Sequence, residues 1–141
     1  MRHLPIALLT ILLLSCGKTD NTKEKGWEYL AASRQAYVTG QYQQAEAFID
    51  SLRQKCPKAI DARKDAIILL DSIHIEQAKL ELDSLESYIA SIQNPDRFQK
   101  DSLDFQHDEA VQKVRFFERK LQYDIKNKDN YDSPLERRSR S

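Results

Sequence analysis

Few side chains in this 141-residue sequence are of a type and spacing that support chemistry. Cys16 has the clearest setting. It follows a basic start, Met1-Arg2-His3, an apolar run from Leu4 to Leu14, and the small residue Ser15. That order is the layout of a cleaved export signal, in which a small residue marks the cut. The apolar run has eleven residues, short of the ~20 a helix needs to cross a bilayer core, so it is expected to act as an export tag. The second thiol, Cys56, has no internal disulfide partner once Cys16 is engaged, and its place at a helix end points to packing. His74 and His107 are too far apart along the helices to share a metal ion, and no cofactor or metal site is expected. The carboxylates Asp101, Asp104, Asp108 and Glu109 stand among Lys100 and Lys113, as a solvated, charge-paired helix surface does and an acid and base in a cleft do not. No glycine-rich phosphate loop and no Gly-x-Ser-x-Gly motif occurs. The chain is not expected to be an enzyme.

The tetrad Leu13-Leu14-Ser15-Cys16 resembles the lipobox of bacterial lipoproteins. That resemblance implies cleavage before Cys16, a thioether from its sulfur to diacylglycerol, and acylation of the new amino terminus. Leu14 departs from the small residue usual there. Gly17, in place of aspartate, is similar to lipoproteins sorted to the outer membrane in enteric bacteria, so the expected location is the cell envelope, with Cys16 as the bilayer contact.

Composition decides what body follows. Three glycines and four prolines among abundant Leu, Ala, Glu, Lys, Gln and Asp favour helix over strand and turn, so the expected class is all-α. Lys plus Arg equals Asp plus Glu at 22 each, a balance that argues against nucleic-acid binding. The expected organisation is a signal peptide over 1–15, a lipidated flexible tether over 16–26, one helical domain over 27–127 and a disordered polar tail over 128–141. Trp27, Leu30, Ala31, Tyr37 and Val38 recur at helical spacing up to Gly40; Tyr42, Ala45, Phe48, Ile49 and Leu52 do so up to Pro57. A helical hairpin over 27–57 follows.

Counting from Gly40, the aromatic at Tyr42, the small Ala45, the large Ile49 and the stop at Pro57, with Tyr29 and Ser33 in the preceding helix, resemble a tetratricopeptide repeat. Ala32, Ala36 and Leu52 depart from that pattern. One repeat length later His74, Glu76 and Lys79 stand where the turn signature should recur, so the repeat occurs once. The resemblance implies a concave helical surface for a partner, with Trp27, Tyr29, Tyr37 and Tyr42 as the aromatic lining of a short protein-binding groove.

A single repeat needs a companion to bury its core. From 59 to 93 there is neither proline nor glycine, and Ile75, Ala78, Leu82, Leu85, Ile89 and Ile92 keep three-four spacing. Asn94-Pro95-Asp96 interrupts it. Leu103, His107, Ala110, Val114, Phe117 and Leu121 then repeat the pattern to about 126. Pairing Ile89 with Leu103, Leu85 with His107, Leu82 with Ala110, Ala78 with Val114 and Ile75 with Phe117 gives every pair the same midpoint, Asp96, inside the interruption. The expected fold is therefore a long, coiled-coil-like antiparallel α-hairpin over 59–126, its base around 60–70 and 121–125 packed on both helices of the repeat-like hairpin. The expected function is a membrane-anchored envelope scaffold or assembly accessory that binds a protein partner. Self-association into a homo-oligomeric structural spacer is the second expectation, and a small envelope enzyme or hydrolase inhibitor the third.

Overall fold

The computed structural model describes residues 21–131. The export signal, Cys16, the start of the tether and residues 132–141 lie outside the described residues. Four helices follow one another: α1 (Thr22–Val38), α2 (Tyr42–Lys55), α3 (Ile60–Ser91) and α4 (Arg97–Asn127), the last ending in a 3-10 turn over Lys128–Asn130. No strand occurs among the described residues, and the fold is all-α.

Each break has a local cause. At Gly40 the backbone adopts φ 74°, the left-handed conformation glycine takes without a Cβ penalty. Gln41 N–H then reaches Ala36 O at 2.8 Å and Gly40 N–H reaches Tyr37 O at 3.0 Å, the paired bonds of a Schellman cap. Pro57 cannot extend α2, whose last amide bond runs from Cys56 N–H to Leu52 O. Asn94, at φ 54°, makes the reversal between the long helices, and Asp96 caps α4 by accepting from Gln99 N–H at 2.7 Å.

The core lies where α1, α2 and the first half of α3 meet. Leu30, Ile49, Leu52 and Ile73 fill it, separated by Ala36, Ala45, Cys56, Ala59, Ala62 and Ala66. Small residues bring helix axes close, and the closeness is used: buried Ser33 donates to Ala45 O at 2.8 Å, tying α1 to α2. Helix α1 begins at Thr22, five residues ahead of the expected start at Trp27. The tether assigned to 16–26 is thus corrected to end before α1. The reason is Gly26, which polar composition hid: it is buried, and a Cβ built on it would stand 2.3 Å from Ala59 Cβ. Gly→Ala inside a helix ordinarily gains roughly 0.5–1 kcal/mol. Here Gly26→Ala is expected to lose about 1–3 kcal/mol by overpacking, read as a fall in melting temperature that Ala59→Gly restores in the double variant.

Helices α3 and α4 zip in the expected register. Cross-helix pairs Glu86 with His107, Glu81 with Lys113, Asp71 with Lys120 and Asp65 with Lys128 all have midpoints within one residue of Asp96. Toward the tip, however, Leu82, Leu85, Ile89 and Ile92 are only half-buried, while Leu103 is buried. Two helices cannot enclose their seam from both sides, and α2 covers only the stretch near His74 and Gln77. The expected base is also corrected. α3 packs on both α1 and α2, but α4 packs on α3 alone, leaving Ile125 51% exposed. The 3-10 turn and Tyr131 continue the ordered body past the boundary expected at 127, because Tyr131 bonds back to α4.

Candidate functional site

The separation of α1 from α4 leaves a groove with α3 as its floor. One part, about 630 Å³, is lined by Tyr37, Ile75, Glu76, Lys79, Glu118 and Leu121 among others. A second part, about 350 Å³, continues along α3 past the shared Ser72 to Ile68, Leu69 and Ile125, and ends where Asp65 bridges Arg34 and Lys128. On α3 the lining residues 65, 68, 69, 72, 75, 76 and 79 recur at three-four spacing over four turns, so one complete stripe of that helix is left between two walls. Apolar centres at Ile68, Ile75 and Leu121 with charged rims suit a helix laid lengthwise. Burial, then Glu76, holds the Tyr37 phenol above its ordinary pKa; it stays neutral, a hydrogen-bonding group in the groove wall. Lys79 is bound to Glu76 at 3.1 Å, and that bond raises its pKa.

The four aromatics expected to line one groove are not brought together. Tyr37 faces the α3–α4 groove, and its ring meets Tyr42 at 5.9 Å across the Gly40 turn, with Tyr42 in a separate surface depression beside Gln77. Tyr29 packs against the core under Lys55, whose Nζ is 5.6 Å from the ring centroid. Trp27 is 45% exposed. Positions two apart on a helix point to nearly opposite sides, so Trp27 and Tyr29 cannot line the same surface.

On the other flank of the seam lies a network of ionisable groups. Lys120 Nζ donates to Asp71 Oδ1 at 2.5 Å and Asp124 Oδ2 at 2.7 Å, and the Tyr131 hydroxyl donates to the second Asp124 oxygen. Asp71 and Asp124 are buried, and Asp71 Oδ2 has no hydrogen-bond partner. Burial pushes the Asp71 carboxyl up to about 6 against the pull of Lys120. Burial also opposes ionisation of Asp124, but the hydrogen bonds from Lys120 and Tyr131 outweigh it and its pKa falls. The bond to Asp124 pushes Tyr131 up to about 12. One turn along α3, His74 stands between Glu46, 3.4 Å away, and the Phe117 ring, 4.9 Å away, and burial lowers its pKa. This arrangement fastens the end of α4 to the middle of α3. Among the described residues no three His, Cys, Asp or Glu side chains are placed to hold a metal ion. Cys56 is buried as a free thiol.

Sequence reasoning missed a further surface. Phe98, Phe105, Phe116 and Tyr123 are 85%, 70%, 54% and 64% exposed. Their spacing of seven, eleven and seven residues places all four within about 20° of one line along α4 at ~100° per residue. That line runs about 150° from the seam formed by Leu103, His107, Ala110, Val114, Phe117 and Leu121, so α4 has a second face. The spacing is present in the sequence, but its wide steps are hidden beside the three-four pattern of the seam.

Compared with protein-family models, curated proteins and solved structures, the chain shows no match. No helix among the described residues is long and apolar enough to cross a membrane.

Proposed function

We propose that this chain is a lipid-anchored protein of the cell envelope whose helical body is a scaffold holding a partner helix in the groove between α1 and α4. The observation that carries the binding half is the partly open four-turn stripe of α3 that floors the groove, with Ile68, Leu69 and Ile75 along it and a wall on either side. The anchoring half rests on Leu13-Leu14-Ser15-Cys16 and the apolar run before it. A rigid helical body on one lipid suits a scaffold or assembly accessory.

Cys16→Ser is expected to abolish palmitate labelling and membrane partition of the full chain; retention of both would refute the anchor. A photocrosslinking residue at Glu76 is expected to trap a discrete protein in intact cells, with the adduct lost when Ile75→Arg fills the groove. An adduct indifferent to Ile75→Arg would refute the groove.

A second reading, self-association into a structural spacer, is favoured by the outward aromatic line on α4.

A further inference from the structure

We infer that the outer face of α4 pairs with the same face of a second copy of this chain, antiparallel, about a two-fold axis between Ala110 and Val111. The inference deepens the self-association reading. It does not need the lipid anchor, which Cys16→Ser tests separately, or the groove.

Its first support is the symmetry of the aromatic spacing. Phe98 with Tyr123, and Phe105 with Phe116, share one midpoint between positions 110 and 111. Two copies laid antiparallel about that point bring each ring opposite a ring of the other copy. Laid parallel and in register, each ring would face its own equivalent, and the reversed order of the spacing would have no role. An isologous contact, in which i meets j and j meets i, requires such a self-complementary pattern.

Charge gives the second support. From 101 to 109, α4 carries Asp101, Asp104, Asp108 and Glu109 with no Lys or Arg; from 113 to 120 it carries Lys113, Arg115, Arg119 and Lys120 with one acid. Parallel pairing sets like against like, and antiparallel pairing sets acid against base. The match extends to the flanks. An antiparallel two-fold sets each flank of the helix beside the same flank of its mate. Asp101, Asp108, Arg115 and Arg119 share one flank at ~100° per residue, so Asp101 comes opposite Arg119 and Asp108 opposite Arg115 of the second copy. On the other flank Glu109 comes opposite Lys113, which also pairs with Glu81 of its own copy. Asp101, Asp108, Glu109, Arg115 and Arg119 are exposed. Complementary flanks of this kind set orientation more than affinity.

The third support is extent. With an aromatic side chain offering on the order of 200 Å², the exposures of the four rings leave roughly 500 Å² per copy. The pair then buries about 1,000 Å² from rings alone, close to the ~1,200 Å² at which specific interfaces begin. The line runs about 37 Å at ~1.5 Å per residue, nearly the whole of α4, and the base of each copy then lies beside the tip of the other.

The test uses the full chain carrying Cys16→Ser, in which buried Cys56 is the remaining native thiol, in mild detergent at tens of micromolar. Sedimentation equilibrium is expected to give a dimer. Phe98→Asp with Phe105→Asp, 85% and 70% exposed, is expected to raise the dissociation constant at least tenfold while helix content and the melting temperature of dilute protein stay as they were. Under oxidation Gln112→Cys, close to the axis, is expected to link to itself. Phe105→Cys alone is expected not to link, whereas Phe105→Cys mixed with Phe116→Cys is expected to do so. A monomer, a dimer indifferent to the two aspartates, or Phe105→Cys linking to itself as readily as to Phe116→Cys would each overturn the pairing.

Discussion

Lys120→Met is expected to destabilise the fold by about 3–5 kcal/mol at pH 7, the cost of removing one partner from a buried ionic group. Lys120 Nζ is the cation between Asp71 and Asp124, both buried, and without it two carboxylates face each other out of water. The loss should shrink toward pH 5, where protonating one carboxyl relieves the repulsion, and should largely vanish when Asp71→Asn and Asp124→Asn are added. Chemical denaturation of the four proteins at the two pH values is the measurement. An equal loss at both pH values would mean that the lysine acts through packing of its stem.

The same network fixes the sign of a pH dependence. Asp71 has its carboxyl raised to about 6 from an ordinary value of 3.8. A raised acid pKa means that the folded state binds the proton more tightly than the unfolded chain. This group therefore adds stability as pH falls from about 6 toward 4 and withholds it above. His74, lowered by burial, runs the opposite way: its contribution is present above the ordinary histidine value and is lost as pH falls through it. The two offset each other in the total curve, so the difference between Asp71→Asn and the natural protein isolates Asp71. That variant is expected to be more stable by up to roughly 3 kcal/mol at pH 8, at about 1.4 kcal/mol for each tenfold change in proton affinity, and equal to the natural protein near pH 4. Asp124, with its pKa lowered, loses its contribution only below the ordinary carboxylate range.

The second large effect separates the two halves of the molecule. Leu52 is fully buried among α1, α2 and α3, and Leu52→Ala is expected to cost about 2–5 kcal/mol through lost burial and the cavity left behind. The whole protein should lose that stability, because the core it weakens supports every helix. Leu103 is as apolar but sits in the tip, where α3 and α4 have only each other. Leu103→Ala is expected to speed amide exchange over about 80–112 while leaving exchange in α1 and α2 unchanged, since the seam there opens without the base. Uniform acceleration throughout would show that tip and base melt as one unit.

Much of the fold was legible in the residues alone. Gly40, Pro57 and Asn94-Pro95-Asp96 break the chain because backbone conformation is local, and no distant contact reverses a missing N–H or permits a side chain at φ 74° without cost. Register was legible because two stripes with one midpoint can zip in one way. The start of α1 was not, since the close packing of Gly26 is against Ala59, 33 residues on, and a polar stretch carries no sign of it.

Little of the groove was legible: Tyr37 lines it, whereas Trp27, Tyr29 and Tyr42 do not. An aromatic side chain announces that it will be covered or will cover something, not which. The Asp71 and Lys120 contact joins positions 49 apart, and polar residues carry no periodic signal that would pair them. Sequence by itself determined the helices, the breaks between them and the register of the long hairpin, all set by short-range sterics and the 3.6-residue repeat. Tertiary structure alone decided that α4 stands off from α1, that two buried carboxylates share one partly exposed lysine, and that four aromatics on α4 face outward. Those outcomes depend on the distance between helix axes, which the small side chains of the core set and no single helix encodes.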